Sequence, residues 1–154
     1  MRHYISIIIL ALCLVACNRH SKHWKTLMQV ETFIVQRPDS ALAVLERIDA
    51  EELSGKEEKA KHALLLSMAF DKNVIDKTDF EVLQPAIDYY NDKGSATDKL
   101  RTCYYQGRIY ENQGNLAQAM TCFCEGIEQG SGSEDLLTKA NLYFSQGRIQ
   151  ELLF

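Results

Sequence analysis

The chain has 154 residues, 46% apolar and 25% charged, with only two prolines; this excludes intrinsic disorder and leaves room for one domain, or a short run of repeats behaving as one. Its formal net charge is −4 at pH 7. A weakly acidic protein has no broad attraction for phosphate backbones, so nucleic acid is excluded as a partner.

Met1-Arg2-His3 is a short basic start, and Tyr4 to Ala16 is almost wholly apolar. Helix of that length spans about 20 Å, short of the roughly 30 Å hydrocarbon core of a bilayer. With the abruptly polar Asn18-Arg19-His20-Ser21-Lys22-His23 behind it, the segment reads as a secretory signal rather than a core helix. Leu14-Val15-Ala16-Cys17 resembles the lipobox of bacterial lipoproteins. The resemblance implies that residues 1–16 are a signal peptide, that Cys17 carries the lipid, that 17–23 is a lipid-anchored tether and that 24–154 is the domain. Several acyl chains on Cys17 would hold a membrane far more firmly than one. Asn18 in place of Asp resembles outer-membrane sorting, and no acidic cluster follows Cys17 of the kind used for surface export in Bacteroidetes. The expected location is therefore the bacterial envelope, at the outer membrane facing the periplasm. Cleavage discards Cys13 and Arg2, leaving 16 basic against 21 acidic residues, a net charge of −5.

Beyond residue 23 no alternating apolar run is bounded by turn pairs, and apolar residues fall instead at spacings of three and four. This predicts an all-α domain. Helices are expected over 24–36, 39–49, 55–71, 79–93, 97–113, 115–129 and 135–153, about seven in all. Pro38-Asp39 opens the second, Gly55 lies at the start of the third, Gly94 closes the fourth, and Gly114-Asn115 parts the fifth from the sixth. Gly130-Ser131-Gly132-Ser133 is the loosest linker. Pro85, inside the fourth helix, should kink or delay its first turns.

The helical body repeats. Gln106-Gly107-Arg108-Ile109 recurs forty residues later as Gln146-Gly147-Arg148-Ile149, and forty residues earlier stands Leu66-Ser67-Met68-Ala69, again with a small residue second. In the middle copy Gly107, Tyr110, Gly114, Ala119 and Phe123 keep the spacing G-x2-Y-x3-G-x4-A-x3-F, which resembles the tetratricopeptide-repeat (TPR) helix-turn-helix unit. Such spacing serves close packing: Gly107 lets the second helix approach, Tyr110 fills the groove, Ala119 permits the crossing and Phe123 plugs the space behind. Cys103, Gln106 and Gly126 stand where the family usually has Trp, Leu and a late Ala. The period is forty rather than 34, and Asp71–Asp79 carries an insertion of about seven relative to the middle copy. Trp24–Gln36 and Asp39–Ala50 read as a degenerate first repeat. Together with Pro38-Asp39-Ser40-Ala41-Leu42 and Asp88-Tyr89-Tyr90, these motifs resemble TPR lipoproteins and sensor-regulators of Bacteroidetes over residues 26–150. The resemblance implies a right-handed superhelix of helical hairpins, an α-solenoid, with the last repeat incomplete.

Solenoids of this type bind an extended peptide or a helix along the concave surface of their first helices. Carried onto this chain, the groove positions are Arg101, Tyr104, Arg108, Glu111 and Asn112, then Asn141, Phe144, Arg148 and Glu151. Arg108 and Arg148 repeat beside Tyr104 and Phe144, which suits a carboxylate clamp flanked by aromatic anchors. The plainer alternative pairs each arginine with Glu111 or Glu151 on its own helix. Cys103, Cys122 and Cys124 read as small apolar fillers, with a disulfide from Cys103 to Cys122 or Cys124 left open. Cys122-x-Cys124 lacks the gap of redox and zinc motifs, and no histidine lies near it in sequence, so neither metal nor cofactor is expected. Glu151-Leu152-Leu153-Phe154 ends the last helix without a polar cap. Either the reading frame is truncated or this edge meets a partner or a second copy, which leaves room for self-association. With no phosphate loop, HExxH or GxSxG pattern, the expected function is a non-catalytic protein–protein interaction scaffold held at the membrane. The alternative is the sensory N-terminal fragment of an envelope-spanning TPR regulator of transcription.

Overall fold

The computed structural model describes residues 22–153; the signal, Cys17 and nearly all of the tether lie outside the described residues. Within that range the protein is all-helical, with seven α-helices and one short 3-10 turn. No described helix is long and apolar enough to cross a membrane.

Helix α1 (Lys22–Phe33) and the turn after it bury Leu27, Val30 and Ile34, one apolar stripe at helical spacing. Helix α2 (Pro38–Leu45) starts on Pro38, where a missing N–H costs no hydrogen bond, and buries Ala41 and Leu45. A 3-10 turn (Ala50–Glu52) follows, begun by Asp49, whose carboxylate accepts from the Glu51 amide at 2.9 Å. Helix α3 (Gly55–Lys72) is the centre of the molecule: Ala60 to Leu65 and Ser67 to Ala69 are all buried, nearly all round the helix. It packs against α1 and α2 and against the two helices that follow.

Helix α4 (Gln84–Tyr90) is shorter than the expected 79–93. Pro85 is the reason. A proline is tolerated in the first turn of a helix and not deeper, so α4 begins at Gln84 and residues 73–83 become a loop. Two amides at the C-terminal end of the fifth helix hold that loop, Asn112 Nδ2 donating to the Lys77 carbonyl at 3.0 Å and Gln113 Nε2, at the cap, to that of Thr78 at 2.7 Å. The Phe80 and Tyr110 rings meet edge to face at 4.9 Å.

Helix α5 (Ala96–Asn112) opens on a capping box, the Ser95 hydroxyl accepting from the Asp98 amide and the Asp98 carboxylate from the Ser95 amide. Gly114, at φ +77°, turns the chain, and Asn115 caps α6 (Leu116–Gln129) by accepting from the Gln118 amide. After the Gly130–Ser133 turn comes α7 (Leu136–Leu153). Each helix packs on the next, and α1, α3, α5 and α7 also pack each on the next-but-one, sharing one continuous core.

The α5–α6 hairpin has the tightest packing. A Cβ added to Gly107 would lie 2.3 Å from the fully buried Phe123 ring, so only glycine admits that ring. Ala119 is fully buried one turn earlier, and in the preceding hairpin Ala86 and the small Ser67 are buried as well. Cys103 and Cys122 are buried free thiols in this hairpin, while Cys124 is free and exposed, so it fills no core space.

Candidate functional site

The expected groove residues lie on α5 and α7, and the structure divides them among several environments. Arg108, Glu111 and Arg148 come together. Arg108 Nε donates to Asp71 Oδ1 on α3 at 3.0 Å, and its Nη1 to Glu111 Oε2 at 2.5 Å. The other oxygen of Glu111 accepts from Arg148 Nη2 on α7. Helices α3, α5 and α7 are thus joined in the order Asp71, Arg108, Glu111, Arg148. The expected pairing within one helix therefore holds for Arg108, whereas Arg148 reaches across to Glu111 instead of Glu151. Both interhelical bonds link residues thirty-seven apart. The clamp is repeated along with the helices.

Arg101 belongs to a second network nearer the starts of the helices. Its Nη1 donates to Glu31 Oε1 on α1 at 2.6 Å and its Nε to Asp135 Oδ2, just before α7, at 2.6 Å. Lys61 on α3 lies between, its Nζ at 2.9 Å from Glu31 and 3.3 Å from Asp98. Asp135 also caps α7, accepting from the Thr138 amide and hydroxyl. All five side chains are at most one-fifth exposed, so the charges are stabilised by one another rather than by water.

The titration behaviour follows. Burial opposes ionisation of Asp98, but the Ser95 hydrogen bonds and Lys61 outweigh it and hold the carboxyl below its ordinary value. Burial likewise opposes Asp135, and the bonds from Thr138 and Arg101 overcome it. Arg101 and Arg108 are desolvated, yet their carboxylate partners hold both still more firmly in the charged form. Burial pushes the Cys103 and Cys122 thiols up to about 11 and about 12. Neither forms a reactive thiolate at neutral pH.

The remaining expected residues do not join either network. Tyr104 is not presented to a groove: it is buried against Tyr105, at 4.9 Å between ring centroids, and against Phe123 of α6 at 6.1 Å, and burial raises its hydroxyl pKa to about 12. Asn112 holds the 73–83 loop. Asn141 is half-buried, and Phe144 and Glu151 are exposed on α7. Sequence reasoning missed Glu31, Lys61, Asp71, Asp98 and Asp135. The forty-residue offset contained part of the signal, because Lys61, Arg101 and Asn141 are one set of equivalents, and Asp71, Glu111 and Glu151 another.

Among the described residues no group of three or more His, Cys, Asp or Glu side chains is arranged to hold a metal ion. Compared with known proteins, the chain matches no family model, no curated protein and no solved structure.

Proposed function

We propose that the mature protein is a lipid-anchored, non-catalytic interaction scaffold of the bacterial envelope, built from TPR-like hairpins stacked as a short solenoid and held at the outer membrane through Cys17. The observation that carries this reading is the thirty-seven-residue clamp, Asp71–Arg108 and then Glu111–Arg148. An ion pair that recurs at a fixed offset between equivalent helices is what side-by-side stacking of repeats produces. The same stacking aligns α1, α3, α5 and α7 as one surface for an extended peptide or helix. The perturbed acids and arginines support a non-catalytic role, since each is engaged in a clamp or a cap.

Because Arg108 ties α5 to α3 and also holds Glu111, the acid that α7 reaches, replacing it would disturb the fold and any partner at once. Arg148 is nearly half exposed and serves one carboxylate, so it is the groove arginine to test. The experiment is crosslinking of membranes followed by mass spectrometry, on the unaltered chain, Arg148→Ala and Cys17→Ser. The reading expects a crosslinked protein that weakens in Arg148→Ala, and release of the chain from the membrane in Cys17→Ser. A Cys17→Ser chain that stays with the membrane would refute the anchor, and partners indifferent to Arg148→Ala would refute the groove.

A further inference from the structure

Lys59, Lys99 and Lys139 stand forty residues apart, near the starts of α3, α5 and α7. In the two later copies the ammonium reaches back to backbone carbonyls at or just past the end of the preceding helix. Lys99 Nζ donates to the Asn91 carbonyl at 3.5 Å, and Lys139 Nζ to those of Ser131 at 3.1 Å and Ser133 at 2.6 Å. Carbonyls at a helix C-terminus are natural partners for a cation.

The first copy breaks this pattern. Eight residues before Lys59 is Glu51, inside the 3-10 turn, and no bond joins the two. Among the described residues Lys59 has neither a carbonyl nor a carboxylate partner, and the same holds for Lys56 one turn earlier. Lys61, two positions on, is by contrast held by Glu31 and Asp98. Lys56 and Lys59 instead line a cleft of about 230 Å³ between α3 and α4, together with Pro85, Asp88 and Tyr89. Spacings of three and four put each set on one face of its helix. Both walls lie in the middle of the chain and are packed on their neighbours in sequence.

The lining specifies a chemistry. Two ammonium groups and one carboxylate leave one net positive charge, which matches a monoanion. Asp88 is fixed by Gln84 Nε2, which donates to its Oδ1 at 2.7 Å. Its other oxygen is left to accept from a hydroxyl and to repel a second negative charge. Pro85 and the Tyr89 ring, with Lys93 Nζ 5.5 Å from its centroid, add an apolar wall. At about 30 Å³ per water molecule the cleft has the volume of about eight waters. That holds one small ring with its substituents and is too little for a length of peptide.

We infer that this cleft binds a small hydroxylated monocarboxylate of the sugar-acid type. Its carboxylate lies between Lys56 and Lys59, its hydroxyls donate to Asp88, and its apolar edge rests against Pro85 and Tyr89. The walls are α3 and α4 rather than the row of α1, α3, α5 and α7, so the site is separate from the surface proposed for a peptide and does not depend on it.

The test is titration of the isotope-labelled full chain in detergent with sodium glucuronate, followed by backbone amide shifts. Acetate and glucose are the companion probes, one carrying only the carboxylate and the other only the hydroxyls. Glucuronate should saturate with a dissociation constant of about 1 mM and move amides in the first turns of α3 and in α4. Acetate and glucose should each bind about tenfold more weakly or worse. Replacing both lysines, Lys56→Gln with Lys59→Gln, should weaken glucuronate by about tenfold or more. Asp88→Ala should act with opposite signs on the two anions: it removes a hydroxyl acceptor and weakens glucuronate, and it removes a repelling charge and tightens acetate. These side chains lie at the surface, so the variants should keep the circular dichroism of the parent. The inference is overturned if glucuronate does not saturate by about 20 mM, if the double lysine change leaves its binding intact, or if glucose binds as well. Asp88→Ala tightening both anions would overturn it too, since that reduces the cleft to two lysines that attract any anion.

Discussion

The tetrapeptide Gln-Gly-Arg-Ile occurs twice in this fold, and its two copies have opposite surroundings. In α5, Gly107 lies beneath the Phe123 ring and Tyr104 beside it is 6% exposed. In α7, Gly147 faces open space and Phe144, the equivalent of Tyr104, stands bare. The inward stripe is alike in both: Ile109 and Ile149 are buried, and Arg108 and Arg148 each reach an acid two helices earlier. What differs is the outer layer. The same four residues therefore encode a helix position in a stack, and the cost of changing them depends on whether another helix has closed over the site.

Tyr104→Ala and Phe144→Ala should separate the two environments most widely. Removing the buried Tyr104 ring leaves a cavity between α5 and α6 and should cost about 3–5 kcal/mol in urea unfolding. Phe144→Ala, measured where the protein is monomeric, should change stability by less than about 0.5 kcal/mol. Comparable losses would mean that Phe144 is covered after all.

The glycines sharpen the contrast by reversing its sign. A methyl group at Gly107 must displace a fully buried ring, so Gly107→Ala should destabilise by about 1–3 kcal/mol. Gly147→Ala meets no neighbour and replaces a poor helix former with the best, which should stabilise by about 0.5–1 kcal/mol. Thermal melts of both variants would show shifts in opposite directions. Two shifts of one sign would break the comparison.

Much of this was legible in the sequence because the signals are local. The turn at Gly114, the Gly107–Phe123 fit and the delayed start of α4 at Pro85 each follow from side-chain size or backbone freedom within one hairpin. The clamps were not legible from a single helix. Arg148 has Glu151 three residues ahead of it, the pairing that helix spacing favours, yet its partner is Glu111, brought near only when α5 and α7 pack. Glu31 and Arg101, seventy residues apart, meet for the same reason. Tyr104 was assigned to the groove by its place in the motif, but the later helix α6 decides its burial, and only the assembled hairpin shows it.

Glu111 and Glu151 carry the comparison to charge. Glu111 accepts two arginines from two helices while Glu151 is exposed on the last turns of α7. Glu111→Gln should therefore lose about 1 kcal/mol, and lose less of it in high salt, whereas Glu151→Gln should be close to neutral. Equal effects would show that the clamp does not bind α7 to α5.

The smallest expected effect concerns one buried position in three copies. His62, Thr102 and Leu142 are forty residues apart on α3, α5 and α7, and all are buried. Only His62 titrates. Burial lowers its pKa, outweighing the bond between its Nε2 and the Leu45 carbonyl at 3.0 Å, with His23 lowering it a little further. The unfolded chain therefore takes up a proton below about pH 6.5 that the folded chain refuses. Stability contributed by neutral His62 is complete above that pH and is lost as the pH falls towards the folded value. The loss should be less than about 1 kcal/mol between pH 7 and pH 6. Asp98 and Asp135, whose pKa values are lowered, act in a separate window below the ordinary carboxylate range, where acid removes the stability of their ion pairs. In His62→Leu, which gives α3 the residue that α7 carries, the Leu45 carbonyl keeps the Ile48 amide but loses the bond to His62, so the overall level of stability changes for a reason unrelated to titration. The slope of melting temperature against pH between 7 and 6 is the quantity to read, and it should flatten. An unchanged slope would assign the pH dependence to a group other than the histidine at this layer.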